Sequence, residues 1–221
     1  LFGLFIAMLY VATERLSWVI IGALLTLGGV ALVAMNVGYV GARFDVWLHA
    51  LSPEIYNRNP GGSGQIVSGL FGMANGGLFG TGWGEGFPQL TYSANADMIV
   101  PSLAEELGLV GVIAILLMYV ILAQRGMRTA IGIRDGFGKL LACGLAFILA
   151  LQCFIVVGGA TRVIPLSGLT MPFLAAGGSS LLANWIILAL LLRLSDGARR
   201  PGSSVEPTPV PVLAPASATP A

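Results

Sequence analysis

An all-α, polytopic membrane fold is what this sequence predicts, on three grounds. Hydrophobic residues make up 56% of the 221 and charged residues only 10%, where a soluble domain carries about 25% charge. Four apolar runs, Leu16–Val40, Leu103–Ala123, Leu140–Gly159 and Ala175–Leu194, each reach the roughly 20 residues that a helix needs to cross a hydrocarbon core about 30 Å thick. The basic residues gather in alternate connections, as the positive charge of cytoplasmic loops requires.

The elements follow in order. Leu1–Ala12 is apolar but too short to span, starts on a residue other than Met and has no basic run before it, so it reads as the tail of a truncated helix and not as a signal peptide. The expectation is about four complete transmembrane helices plus this partial one, in a chain that is a fragment. Arg15 precedes the first span, Arg125, Arg128, Arg134 and Lys139 lie between the second and third, and Arg193, Arg199 and Arg200 close the last. These three places are the cytoplasmic side, which leaves Gly41–Ser102 and Ala160–Leu174 outside. Residues 1–195 therefore read as one membrane domain with a large extracytoplasmic segment at 41–102. Residues 196–221, with prolines at 201, 207, 209, 211, 215 and 220, read as a disordered cytoplasmic tail, since that composition cannot bury a core.

Composition also excludes functions. A net charge of +1, with no basic stripe beyond the cytoplasmic arginines, excludes nucleic acid as a partner. Cys143 and Cys153 are ten residues apart on one helix, a rise of about 15 Å, too far to bridge. A single histidine, His49, leaves no zinc set.

The long outer segment carries the chemistry. Gln65–Ala74 places Ile66, Val67, Leu70, Phe71 and Met73 at helical spacing, predicting a short amphipathic helix in the interface with its apolar side toward lipid. The glycine-dense run Gly76–Gly86, interleaved with Phe79, Trp83 and then Phe87, permits close backbone approach and reads as the wall of a cavity more readily than as a linker. Asp97 follows among small and apolar neighbours. An exposed aspartate, with a pKa near about 3.9, is a poor base, whereas a buried one is a better one. Glu105 falls in a Ser102-Leu103-Ala104-Glu105 pattern, which predicts a capping box. Glu106, about 100° further round that helix, has no such explanation and is placed toward the same cavity as Asp97. In the second outer segment Arg162 is the sole charge; it can bind phosphate or snorkel at the interface. Gly177-Gly178-Ser179-Ser180 suits tight helix packing.

Taken in order, the glycine-rich Gly76–Gly86, Ala96-Asp97-Met98-Ile99-Val100, Glu105-Glu106-Leu107-Gly108, Pro165…Gly168…Pro172 and Gly177-Gly178-Ser179-Ser180 resemble the SEDS family of FtsW, RodA and SpoVE over about residues 1–194. The resemblance implies the C-terminal half of a protein of about ten helices in the bacterial cytoplasmic membrane. It implies a peptidoglycan glycosyltransferase that polymerises lipid II on the outer face, in division or elongation, beside a class B penicillin-binding protein. The family's essential aspartate, in Thr-Asp-Phe-Ile-Phe, maps onto Asp97, and its Glu-Glu-x-Gly onto Glu105, Glu106 and Gly108. The chain departs from the pattern at Ala96, Met98 and Val100, and has Ala175-Ala176 where the family has Ser-Tyr.

Polymerisation needs a base for the acceptor hydroxyl, and Asp97 is the candidate. It also needs groups that bind lipid II and its pyrophosphate: Arg162, Arg58, Glu106, Gln65 and Ser179 are the candidates, with a divalent cation, magnesium or manganese, as the one cofactor such a leaving group calls for. No residue is assigned as a metal ligand. A lipid II flippase or other transporter, and a non-catalytic division or elongation scaffold, stay open beside the enzyme. The acids cluster at one surface instead of within the spans, which suits catalysis at an interface better than a pathway through the membrane.

Overall fold

The structure, a computed structural model, describes residues 2–58 and 60–199. Of the tail expected at 196–221, residues 200–221 lie outside the described residues. Every regular element among those described is helical: α1 (Phe2–Thr13), α2 (Leu16–Asn36), α3 (Gly38–Leu48), α4 (Pro53–Tyr56), α5 (Gly64–Gly76), a single 3₁₀ turn at Pro88–Leu90, α6 (Ile99–Gly132), α7 (Gly136–Ala160) and α8 (Gly178–Arg199). Four of these, α2, α6, α7 and α8, are long and apolar enough to cross a membrane.

The antiparallel pair α6 and α7 is the centre. Asp135 starts α7 by accepting the N–H of Gly138 at 2.8 Å, an N-cap that turns the chain back within three residues. Small side chains then let the two axes approach, as helices in lipid require: a Cβ at Gly126 would lie 2.6 Å from that of Ala146. Leu191 of α8 joins Ala146 and Leu149 in one buried cluster, and Ala130, Ala142 and Cys143 form another with Val11 of α1 against them. At the opposite end Val100, Cys153, Val156, Ala160 and Met171 form the third. α1 packs on α7, and α2 on α1, with most of α2's leucines bare.

These contacts sort the connections by end. Val11, Ala130, Ile133 and Leu194 share a cluster, so the three arginine-bearing places lie together, while Arg43, Trp47 and Asn95 bond across to Leu166, Arg162 and Ala176 at the other end. The charge pattern had separated the same two groups.

Several boundaries differ from the sequence reading. The first span ends at Asn36, Val37 is extended and α3 begins at Gly38; Asn and Gly, weak helix formers, flank the break inside a run whose hydrophobicity is continuous. α8 begins at Gly178, because 171–177 are held as irregular chain: Gln152 Nε2 donates to the carbonyl of Thr170 at 2.9 Å, Thr170 Oγ1 to Ser180 Oγ at 2.8 Å, and the Tyr119 hydroxyl to the carbonyl of Pro172. Non-helical backbone at membrane depth is tolerated where protein groups satisfy it in this way. The same helix runs on to Arg199, four residues past the expected end of the membrane domain.

The largest difference is within α6. It starts at Ile99 instead of Leu103 and is interrupted at Gly108, whose φ is 69°. The 24 residues that follow to Gly132 run on as helix for about 36 Å, long enough to cross a membrane before the arginines at its far end. At the break the carbonyls of Glu105 and Glu106 accept the N–H groups of Thr81 (2.9 Å) and Gly82 (3.1 Å). The amides of Leu109 and Val110 donate to the carbonyls of Gly77 (3.0 Å) and Leu78 (3.1 Å). The glycine-rich segment thus takes over the two i→i+4 bonds that the helix gives up. Such backbone contact leaves no room for side chains, since a Cβ at Gly80 would collide with the carbonyl of Glu106 and one at Gly108 with the amide of Gly80.

Candidate active site

Asp97 is held in the turn between Ser93 and α6. The amides of Ala96 and Met98 both donate to the carbonyl of Ser93, at 2.9 and 3.2 Å, and Met98 is fully buried, seated over Gly69 of α5, where no Cβ stands in its way. With its neighbour anchored inside, the half-buried Asp97 side chain turns into a cleft of about 440 Å³. Gln65, in the first turn of α5, donates from Nε2 to Asp97 Oδ2 at 3.3 Å.

Two cations line the same cleft, Arg58 and Arg43. Arg58 is the sequence candidate. Arg43 is a residue that sequence reasoning passed over, and it is the better fixed of the two: Nη1 donates to the carbonyl of Leu166 at 2.9 Å, Nη2 to the Tyr39 hydroxyl at 2.6 Å, and the guanidinium stands 4.9 Å from the Tyr39 ring centre. The i, i+4 spacing of Tyr39 and Arg43 was the available signal. Gly168, in the left-handed region at φ 69°, lets the second outer segment close the cleft near Asp97.

The other candidates separate from this group. Glu106 faces a different recess, with Trp83 and Gln89, so the expectation that it shares a cavity with Asp97 is corrected: the Gly108 break fixes how the start of α6 is rotated, and regular helix geometry could not show it. Arg162 is outside the cleft, its Nη2 on the carbonyl of Leu48 at 3.3 Å and its own carbonyl accepting Trp47 Nε1 at 3.0 Å; it fastens α3 to the second outer segment. Ser179 is exposed in the first turn of α8 and does not line the cleft. The capping box is absent, because α6 begins earlier. Ser102 Oγ donates back to the carbonyls of Ala94 and Met98 instead, each at 3.2 Å. Glu105 is nearly fully buried, its Oε1 accepting Asn75 Nδ2 and the amide of Phe87, both at 3.2 Å. The short helix predicted at Gln65–Ala74 exists as α5, yet Ile66 and Val67 are buried in the protein rather than in lipid, and Phe71 is the exposed member.

No three His, Cys, Asp or Glu side chains come together among the described residues. The cleft offers one carboxylate beside an amide and two guanidinium groups, a donor set that does not fit a resident magnesium or manganese ion, which favours several oxygen ligands.

Fold and site together define a multi-pass membrane protein that presents a carboxylate, in the turn ahead of its interrupted helix and beside two arginines, at one end of the bundle. The comparisons identify which: the FtsW/RodA/SpoVE cell cycle protein family matches residues 1–200, and the chain belongs to that family. It is 51% identical over 202 residues to the peptidoglycan glycosyltransferase RodA of Mycobacterium tuberculosis, covering 91% of this chain and 42% of that protein. The RodA of Mycobacterium leprae is 49% identical with the same coverages. A probable peptidoglycan glycosyltransferase FtsW of Trichlorobacter lovleyi is 36% identical over 87% of this chain and 50% of its own length. The chain thus spans about half the length of the curated relatives it matches, or less. Among solved structures, a chain from a peptidoglycan synthase complex that coordinates polymerization and crosslinking superposes with a TM-score of 0.69 at 25% identity, over 90% of this chain and 55% of that one.

Proposed function

We propose that this chain supplies the catalytic carboxylate of a lipid II polymerase, a peptidoglycan glycosyltransferase acting at the outer face of the cytoplasmic membrane. One observation carries the reading: Asp97, oriented by Gln65, shares a cleft with Arg58 and Arg43, in a chain 51% identical to a protein named for that activity. The face follows from the arginines at the opposite end of the bundle.

In this mechanism Asp97 takes the proton of the acceptor sugar's 4-hydroxyl as that oxygen attacks the anomeric carbon of the donor. The bond from that carbon to the pyrophosphate breaks, and the undecaprenyl pyrophosphate departs with the electron pair. Arg58 and Arg43 stand where guanidinium groups offset the charge on the leaving oxygens. Gln65 keeps Asp97 turned into the cleft. The partner is a class B penicillin-binding protein, which crosslinks what the polymerase extends.

Full-length protein bearing Asp97→Asn, reconstituted with fluorescent lipid II, should form no glycan ladder while remaining folded and monodisperse in detergent. A wild-type ladder from that variant, or lipid II crossing between leaflets with no ladder from the parent protein, would overturn the assignment.

A further inference from the structure

A second recess, of about 580 Å³, opens beyond the turn that carries Asp97. Trp83, Gln89, Asn95 and Glu106 line it over Ile99 and Leu103 of α6. No step of the mechanism above uses it. Trp83 is 76% exposed, so core packing does not account for the ring, yet the backbone holds it still. The amide of Gly82 is bonded to the carbonyl of Glu106 at 3.1 Å, that of Glu85 to the carbonyl of Gly82 at 3.1 Å, and that of Phe87 to Glu105 Oε1. Indole and carboxylate therefore stand on stretches of chain tied together within one residue of each.

The recess presents a flat aromatic face, two primary amides and a carboxylate. An indole stacks on the C–H face of a pyranose, amide side chains both donate and accept toward hydroxyl and N-acetyl groups, and a carboxylate accepts from hydroxyls. A lipid acyl chain has no use for three polar groups. A phosphate would meet Glu106 with no cation among the lining residues. Asn95 and Asp97 are two residues apart, at most about 7 Å between Cα atoms, so one saccharide reaches both sites.

We infer that this recess is a glycan-binding subsite, which takes an N-acetylated sugar of the strand next to the unit at Asp97, with Trp83 as the stacking platform. The inference rests on the polymerase reading for the kind of sugar; its test reads binding and not turnover. Full-length protein in nanodiscs, carrying Asp97→Asn, is titrated into fluorescein-labelled chitotetraose, an N-acetylglucosamine tetramer, and anisotropy is followed. Saturable binding is expected, weakened about tenfold or more, the loss of one stacked anchor, in Trp83→Ala and in Glu106→Ala. Phe79→Ala, which removes an equally bare ring from the same segment, should bind like its parent, and Trp83→Phe should retain part of the affinity. No saturable binding, or binding indifferent to Trp83→Ala, overturns the subsite. So does quenching of Trp83 by doxyl-labelled lipid without saccharide binding, which would make the ring a membrane anchor. If ladders survive Asp97→Asn while saccharide binding still needs Trp83, the assignment of Asp97 as the catalytic base fails and the subsite stands.

Discussion

Glu105 is buried at 5% exposure and accepts two donors, Asn75 Nδ2 and the Phe87 amide. It ties the C-terminal end of α5 to the far end of the glycine-rich segment. Hydrogen bonds to a charged group contribute about 1.5–3 kcal/mol each, and leaving a buried donor unsatisfied costs about 1–3 kcal/mol. Glu105→Ala should therefore lower the thermal midpoint of the detergent-solubilised protein markedly, and Glu105→Gln, which keeps one acceptor oxygen, by less. Glu106→Ala, half exposed and in no such bond, should stay within about 0.5 kcal/mol of the parent by the same measurement. The sequence likewise assigned Glu105 the structural role and left Glu106 without one, but through a different contact. Its Ser102-x-x-Glu105 pattern fits a helix start, but Met98, buried against Gly69, sets the start of α6 earlier, and that contact joins residues 29 apart in a way no local pattern displays. Asp97 was legible by contrast, because an acid among small and apolar residues ahead of a long hydrophobic run stands out. Its partner Gln65, 32 residues away, was legible as a candidate for substrate but not as the group that orients Asp97.

At the level of elements, the exchange between α6 and the segment Gly77–Gly82 governs the site. Four groups at the Gly108 break, the carbonyls of Glu105 and Glu106 and the amides of Leu109 and Val110, find backbone partners in that segment, as burial in a membrane demands. A methyl at Gly108 meets two obstacles, the positive φ and the Gly80 amide. Gly108→Ala should be severely destabilising, and hydrogen exchange should show Thr81, Gly82, Leu109 and Val110 losing protection together; Gly64→Ala, where open space surrounds the added carbon, should leave all four protected. The glycine density had suggested a cavity wall. What it encodes first is backbone contact with a helix, which spacing alone cannot distinguish, since both uses call for a residue without Cβ. The helices themselves were legible as apolar runs, but their ends were not, because 171–177 and the start of α6 are set by tertiary bonds.

For the whole molecule, the arginine pattern and the packing agree on two ends. A cysteine replacing Tyr92, which is 77% exposed at the end opposite Arg134, should react with an impermeant maleimide on intact cells, while one replacing Arg134 should react only after permeabilisation; Cys143 and Cys153 are buried and give little background. The reverse pattern would invert the orientation and place Asp97 on the cytoplasmic side. This level was the most legible of the three, since hydrophobic length and loop charge are additive properties of the chain that need no knowledge of contacts. The pairing of the two outer segments through Arg43, Trp47 and Arg162 was not, as it depends on which loops meet.

The splice at Gly108 also stiffens the helix. A kink in a helix ordinarily absorbs bending, but here both sides of the break are bonded to the same stretch of backbone. A tilt of Leu109–Gly132 pulls on Gly77 and Leu78 and, through Thr81 and Gly82, on Glu105 and Glu106, so that the buried shaft and the loop of Trp83 share a single mechanical coordinate, and a protein gripping that shaft would displace the loop as well.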